Sequence, residues 1–143
     1  MPKMIFVNLP VSDLPRAIAF YEAIGATKNP QFSDATAACM VVSDIIHVML
    51  LTHDKFRQFT PKPIADRGVT EVLLALSAES REDVDAVLAR AGGAGGRPDV
   101  SPKQDHGFMY YRNFEDLDGH IWEVMWMQPG AVCTEMAQEK QEA

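Results

Sequence analysis

One strand-and-helix pattern occurs twice along this chain, in the same apolar register. Residues 4–11, Met-Ile-Phe-Val-Asn-Leu-Pro-Val, read as a strand made imperfect by Asn8 and Pro10. Ser12 or Asp13 then caps a helix and Pro15 suits its first turn. Leu14, Ala17, Ile18, Tyr21 and Ile24 recur at helical spacing until Gly25 stops it. The second copy opens with a strand over 71–77. Ser80 caps the next helix with Asp83 three residues on, and Val84, Val87, Leu88 and Ala91 form its buried stripe before Gly92-Gly93. Laying Gly25 on Gly92, an offset of 92 − 25 = 67, puts Ala17 on Val84, Phe20 on Val87 and Tyr21 on Leu88.

Each copy continues into strands. Residues 35–42 and 45–51 are apolar or β-branched runs joined at Ser43-Asp44, which predicts a hairpin, with a short strand near 26–33 before it. Further strands are expected at about 107–113 and 120–127, separated by a turn containing Asp118-Gly119. The expected fold is α+β, two paired βαβββ modules at 4–60 and 70–127 within one domain, 1–129. A unit with its helix on one sheet face leaves the other face bare, and two units side by side close those faces around a shared pocket. The polar connection 52–69 carries a short helical piece around 54–59, and the tail 130–143, without apolar periodicity, is expected to fray or coil loosely.

Composition narrows the function. A chain of 143 residues with 47% apolar content builds one self-supporting core, and separate cofactor and substrate domains do not fit into it. Thirteen basic against 20 acidic residues give a net charge of −7 with no basic run, which argues against nucleic acid as a partner. No stretch approaches the length of a membrane span and no basic, then apolar, leader opens the chain, so no membrane partner and a cytoplasmic location are expected. Cys39 and Cys133 give no disulfide framework and read as free thiols.

Strand alternation sorts the candidate site residues. In the first strand Ile5, Val7, Leu9 and Val11 suit the helix face, leaving Phe6, Asn8 and Pro10 for the pocket. The 67-residue offset matches Phe6 to Leu73, so Glu71, Leu73, Ala75 and Ser77 face the same way. In the last strand Ile121, Glu123 and Met125 form the set that holds a carboxylate among aliphatic side chains. Glu123 either faces water or is kept inside for a reason, because burying an unpaired carboxylate is costly. Glu71, at the start of its strand, reads first as a solvated charge, while Asn8 reads equally as a pocket hydrogen-bonding group or an ordinary strand-end amide.

The histidines His47, His53, His106 and His120 form no helical pair or cysteine-histidine cluster. Alternation assigns His47 and His120 to surface or interface positions, and leaves His53 and His106 in loops. Tyr110, Tyr111 and Arg112 offer an aromatic and cationic wall or one wet face. Gly92, Gly93, Gly95 and Gly96 follow a helix and do not open one, so they are not a phosphate loop.

The opening Phe6-Val-Asn-Leu-Pro-Val-Ser-Asp-Leu14, the helix end Ala19-Phe-Tyr-Glu-Ala-Ile-Gly25 and the closing Asp116-Leu-Asp-Gly-His-Ile-Trp-Glu123 together resemble the vicinal oxygen chelate superfamily, which includes glyoxalase I, bleomycin resistance proteins and extradiol dioxygenases. The resemblance covers residues 4–127. It implies paired βαβββ modules in an open, U-shaped mixed barrel with helices outside, often completed as a homodimer, and a divalent metal held by His, Gln or Glu at pseudo-symmetric strand positions. By that resemblance the first-strand ligand position falls on Phe6, the fifth-strand position on Leu73, the fourth-strand carboxylate of glyoxalase I near Leu50, and the last on Glu123. Leu117 stands where the family usually has Pro.

Phe and Leu coordinate no cation, and one carboxylate makes a poor site for Zn, Ni or Fe. The sequence therefore favours a small-molecule binder without the usual metal set, its pocket lined by Phe6, Asn8, Val48, Leu50, Leu73, Ala75, Ile121 and Met125, with Glu71 a further candidate. The alternative is a glyoxalase-like lyase, isomerase or epoxide-opening transferase in which Glu123 is the metal ligand or general base. The expected partners are a small organic ligand or substrate and a second copy of the chain, and no cofactor is identified by the residues alone.

Overall fold

The computed structural model describes residues 2–130. Along the chain run β1 (Ile5–Val11), α1 (Leu14–Ala23), β2 (Thr27–Asn29), a 3-10 turn (Pro30–Phe32), β3 (Ala37–Val41), β4 (Ile46–Thr52) and α2 (His53–Arg57). The second half holds β5 (Leu73–Ser77), α3 (Arg81–Gly93), β6 (Arg97–Pro98), β7 (Gln104–Asp105), β8 (Met109–Glu115) and β9 (Ile121–Met127). The tail expected at 130–143 lies, from 131 on, outside the described residues.

Local chemistry sets the helix ends. The Asp13 carboxylate accepts the Arg16 backbone N–H at the start of α1, and Pro15 sits in its first turn. Gly25 follows with φ +113°, a conformation in which a side chain is strained. At α3 the Ser80 hydroxyl accepts from Asp83 N, and the Asp83 carboxylate accepts from Glu79 N, a reciprocal cap. Of the two cap residues considered for α1, Asp13 serves.

Each half builds one mixed sheet. The first has the order β1-β4-β3-β2, with β1 parallel to β4 and the other pairs antiparallel. The second has the order β5-β9-β8-β6, with β5 parallel to β9 and β7 added on β8. The α+β class and the doubled strand-helix order agree with the sequence. The edge strand beside β8 is broken into β6 and β7, with Asp99, whose φ is +54°, directly after β6. Part of the segment 97–107 is therefore sheet edge.

The helix-bearing faces of both sheets share one core. Leu9, Met40, Val48 and Leu50 of the first sheet, Phe20 and Tyr21 of α1, Val84 and Leu88 of α3, and Phe114, Trp122 and Val124 of the second sheet belong to a single buried cluster. The Phe20 ring lies 6.0 Å from that of Phe114, and Tyr21 meets Trp122 edge-on at 6.2 Å. Each such large buried side chain contributes about 1.5–3 kcal/mol by leaving water. Because α1 fills the space between the sheets, the helix-free faces lie on the outside of this core. Among the described residues the two mixed sheets form no closed barrel.

Among the described residues no helix is long and apolar enough to cross a membrane.

Candidate functional site

Sheet register decides which side chains share a face. In the parallel pair β1–β4, Phe6 stands beside His47, Asn8 beside Met49 and Pro10 beside Leu51. The next strand adds Val41 beside His47 and Cys39 beside Met49. These residues form the helix-free face of the first sheet. Val48 and Leu50, expected in the pocket, sit instead on the helix side, fully buried in the shared core. His47, expected on the opposite side, belongs to the helix-free face, where its ring stacks on Phe6 at 4.7 Å with 14° between planes. Alternation along β4 had no anchor of its own, since both of its faces are largely apolar.

The second sheet presents an equivalent face. Leu73 pairs with Ile121, Ala75 with Glu123 and Ser77 with Met125. Glu123 in turn pairs with Asn113, and Met125 with Tyr111. Phe6 and Leu73 are 50% and 56% exposed, as befits faces that the chain itself leaves open. Asn8 and Ala75 are exposed as well, whereas Ile121, Glu123 and Met125 are half-buried. Burial first, and then the charge of Glu123, push the Tyr111 phenol above its ordinary pKa. Asn113, 1% exposed, uses its side-chain amide on both backbone groups of Ser101 at 3.0 Å and donates to the Tyr111 oxygen at 3.4 Å. Tyr111 and Asn113 thus flank Glu123, a grouping the sequence reading did not assemble.

Glu71 departs from its assignment. It precedes β5, and its carboxylate meets Nδ1 of His120. His120 is not at the surface: it is 6% exposed, and its Nε2 lies 2.7 Å from the Pro10 carbonyl. A network extends from this point through the seam between the halves. Asp116 accepts the backbone N–H groups of His120 and Asp118, and the Tyr21 hydroxyl donates to it at 2.5 Å while accepting from the Trp122 indole at 2.9 Å. Glu71 thereby pairs with the histidine that reaches the first half through the Pro10 carbonyl.

The same register tests the family's metal site. The β4 residue beside Asn8, and so the internal counterpart of Glu123 beside Ala75, is Met49 and not Leu50. The four corresponding positions hold Phe6, Met49, Leu73 and Glu123. Two hydrocarbons, a thioether and one carboxylate do not form a donor set for Zn, Ni, Fe or Mn. Among the described residues no three His, Cys, Asp or Glu side chains group so as to hold a metal ion.

Comparison with known proteins agrees with the architecture. The family model described as Glyoxalase/Bleomycin resistance protein/Dioxygenase superfamily matches residues 3–124. Among solved structures, a hypothetical protein, SA1046, from S. aureus is 26% identical, with a TM-score of 0.73 over 88% of this chain and 95% of that one. A glyoxalase/bleomycin resistance protein/dioxygenase family enzyme from Burkholderia phytofirmans PsJN is 15% identical, with a TM-score of 0.72 over 88% and 99%. The fosfomycin resistance protein FosX from Listeria monocytogenes is 20% identical, with a TM-score of 0.66 over 90% and 96%. No curated protein gives a significant match.

Proposed function

Because the chain belongs to the Glyoxalase/Bleomycin resistance protein/Dioxygenase superfamily, we propose that it binds a small organic molecule in a cavity that two copies of the chain complete, without the family's divalent-metal set. The observation that carries this reading is the outward placement of the two helix-free faces, on which Phe6 and Leu73 remain half exposed. Setting the first-sheet face of one copy against the second-sheet face of another buries both. The enclosed wall then consists of Phe6, Asn8, His47 and Met49 on one side and Leu73, Ala75, Ile121, Glu123 and Met125 on the other. Such a lining, mostly carbon with a few polar groups, matches the usual character of organic-ligand sites. A cytoplasmic homodimer acting on a small organic compound belongs to the same proposal.

A second reading rests on Glu123. Its carboxylate makes no hydrogen bond or ion pair with another described residue, and it lies between Ile121 and Met125 on an open face. A free carboxylate so placed serves as a general base toward a proton next to a carbonyl, the chemistry of a lyase or isomerase.

Native mass spectrometry on protein purified without chelator or added metal tests the proposal. A dimer free of divalent ions, with or without a retained organic mass, supports it. A monomer, or a dimer holding one divalent ion per chain, overturns it. Glu123→Gln separates the two readings once a substrate is found: turnover collapses if Glu123 is the base, whereas binding alone tolerates the amide.

A further inference from the structure

We propose that Cys39, His47 and Met49 form a binding site for a soft monovalent metal ion, copper(I) in biological terms. The inference does not depend on the dimeric cavity. Cys39 on β3 is the direct cross-strand partner of Met49 on β4, and His47 lies two residues before Met49 on the same strand. All three side chains stand on the helix-free face, because Ala38, Met40, Val48 and Leu50 between them belong to the shared core. Directly opposed side chains start about 5 Å apart at Cβ, and same-face neighbours along a strand about 7 Å apart. Cys39 and His47 are diagonal neighbours across this pair, about 7–8 Å apart and within reach of an aromatic side chain.

Two further observations point to a ligand. Cys39 and His47 are 3% and 9% exposed, yet neither belongs to the shared core. Moreover Nδ1 of His47 is a buried ring nitrogen with no hydrogen-bond partner in the structure. Buried polar atoms are nearly always satisfied, so one left over on the sheet face that also carries Cys39 and Met49 is available as a ligand atom.

The chemistry of the set selects the ion. Thiolate and thioether sulfur with one imidazole favour Cu(I), while Mg, Ca and Mn prefer oxygen donors, and none of the three supplies one. Burial pushes the Cys39 thiol above its ordinary pKa, so the free site holds its proton. Binding replaces that proton: the S–H bond breaks, an S–Cu bond forms, one proton leaves to solvent, and copper stays in the +1 state throughout.

The test is anaerobic titration with Cu(I) against a bicinchoninate competitor, in a Cys133→Ser background so that the tail thiol does not compete. One Cu(I) per chain is expected, with X-ray absorption showing mixed sulfur and nitrogen coordination. Cys39→Ser should weaken binding by about a hundredfold or more, and His47→Gln or Met49→Leu by at least about tenfold, in line with removal of soft donors. Met49→Leu conserves volume and keeps the variant folded where Cys39→Ser does not. Absence of Cu(I) binding, an affinity unchanged in Met49→Leu, or coordination without sulfur would overturn the proposal.

Discussion

The imidazole of His120 sits between two acceptors from different parts of the chain: its Nε2 is 2.7 Å from the Pro10 carbonyl oxygen of β1, and its Nδ1 faces the Glu71 carboxylate before β5. A carbonyl oxygen only accepts and a carboxylate oxygen accepts, so these two partners favour a ring that donates from both nitrogens, the imidazolium form. Burial, the largest influence, opposes that charge. The charge of Asp116, the Pro10 carbonyl and the Glu71 carboxylate outweigh it, and the His120 pKa is raised. The cation joins the first half of the chain to the second.

The first prediction follows from the sign of that shift. A folded pKa above the unfolded value of about 6.5 means that the contribution of His120 is complete below that pH. It is lost as pH rises through the folded value. Urea midpoints should therefore fall on going from about pH 6 toward alkaline conditions, and His120→Gln should flatten that slope. Equal slopes in the two proteins would show that the ring is not the charged link.

Removing the Tyr21 hydroxyl should be costly for a different reason. It donates to Asp116 at 2.5 Å and accepts from the Trp122 indole at 2.9 Å, all in the core. Tyr21→Phe leaves a carboxylate oxygen and an indole N–H without that partner, a loss of about 1–3 kcal/mol. Chemical denaturation reads it directly. A change below about 0.5 kcal/mol, the range of an unremarkable surface substitution, would mean that the network carries little stability.

Much of this was legible in the sequence, for identifiable reasons. β1 alternates apolar and other residues, which separates Phe6 and Asn8 from the core residues Leu9 and Val11, and the offset from Gly25 to Gly92 carries the same separation to Leu73 and Ala75. β4 reads Ile-His-Val-Met-Leu-Leu-Thr, apolar on both faces, and only its pairing with β1 shows that His47 and Met49 face outward with Phe6 and Asn8. Glu71 looked like a solvated strand-end charge because its partner, His120, lies 49 residues away. The strands β6 and β7 hold two residues each, too few for any periodicity to register. Whether the two modules shared their helix faces or their bare faces was also hidden. That depended on the Phe20–Phe114 and Tyr21–Trp122 contacts, which a repeat pattern does not encode.

Reinstating metal ligands offers a constructive prediction. Phe6→His with Leu73→His supplies two imidazoles at the family's ligand positions, with Glu123 as the third donor, a two-histidine, one-carboxylate set suited to Fe(II) and related divalent ions. Because these side chains lie on outward faces, the site forms between copies. Isothermal titration with Co(II) should show tight binding by the double variant and not by the parent chain. Binding that persists when the variant is held monomeric would place the ligands within one chain and contradict the assignment of the faces.

Glu123 should behave as a functional residue and not as a structural one. It is half-buried and makes no polar contact with another described residue, so Glu123→Gln removes no native bond. Its unfolding free energy should stay within about 0.5 kcal/mol of the parent or rise slightly. Loss of more than about 1 kcal/mol would show that the carboxylate is needed for folding and weaken its assignment to a ligand or substrate.

The central claim, that the outward helix-free faces form the site by meeting a second copy, is tested most directly by sedimentation equilibrium of the parent chain beside a Phe6→Asp, Leu73→Asp variant. Both positions are half exposed within one chain, so the charges leave the fold intact but must be buried on association. The account predicts a dimeric parent and a folded, monomeric variant. A parent that is monomeric at micromolar concentration, or a variant that dimerises as well as the parent, would contradict it.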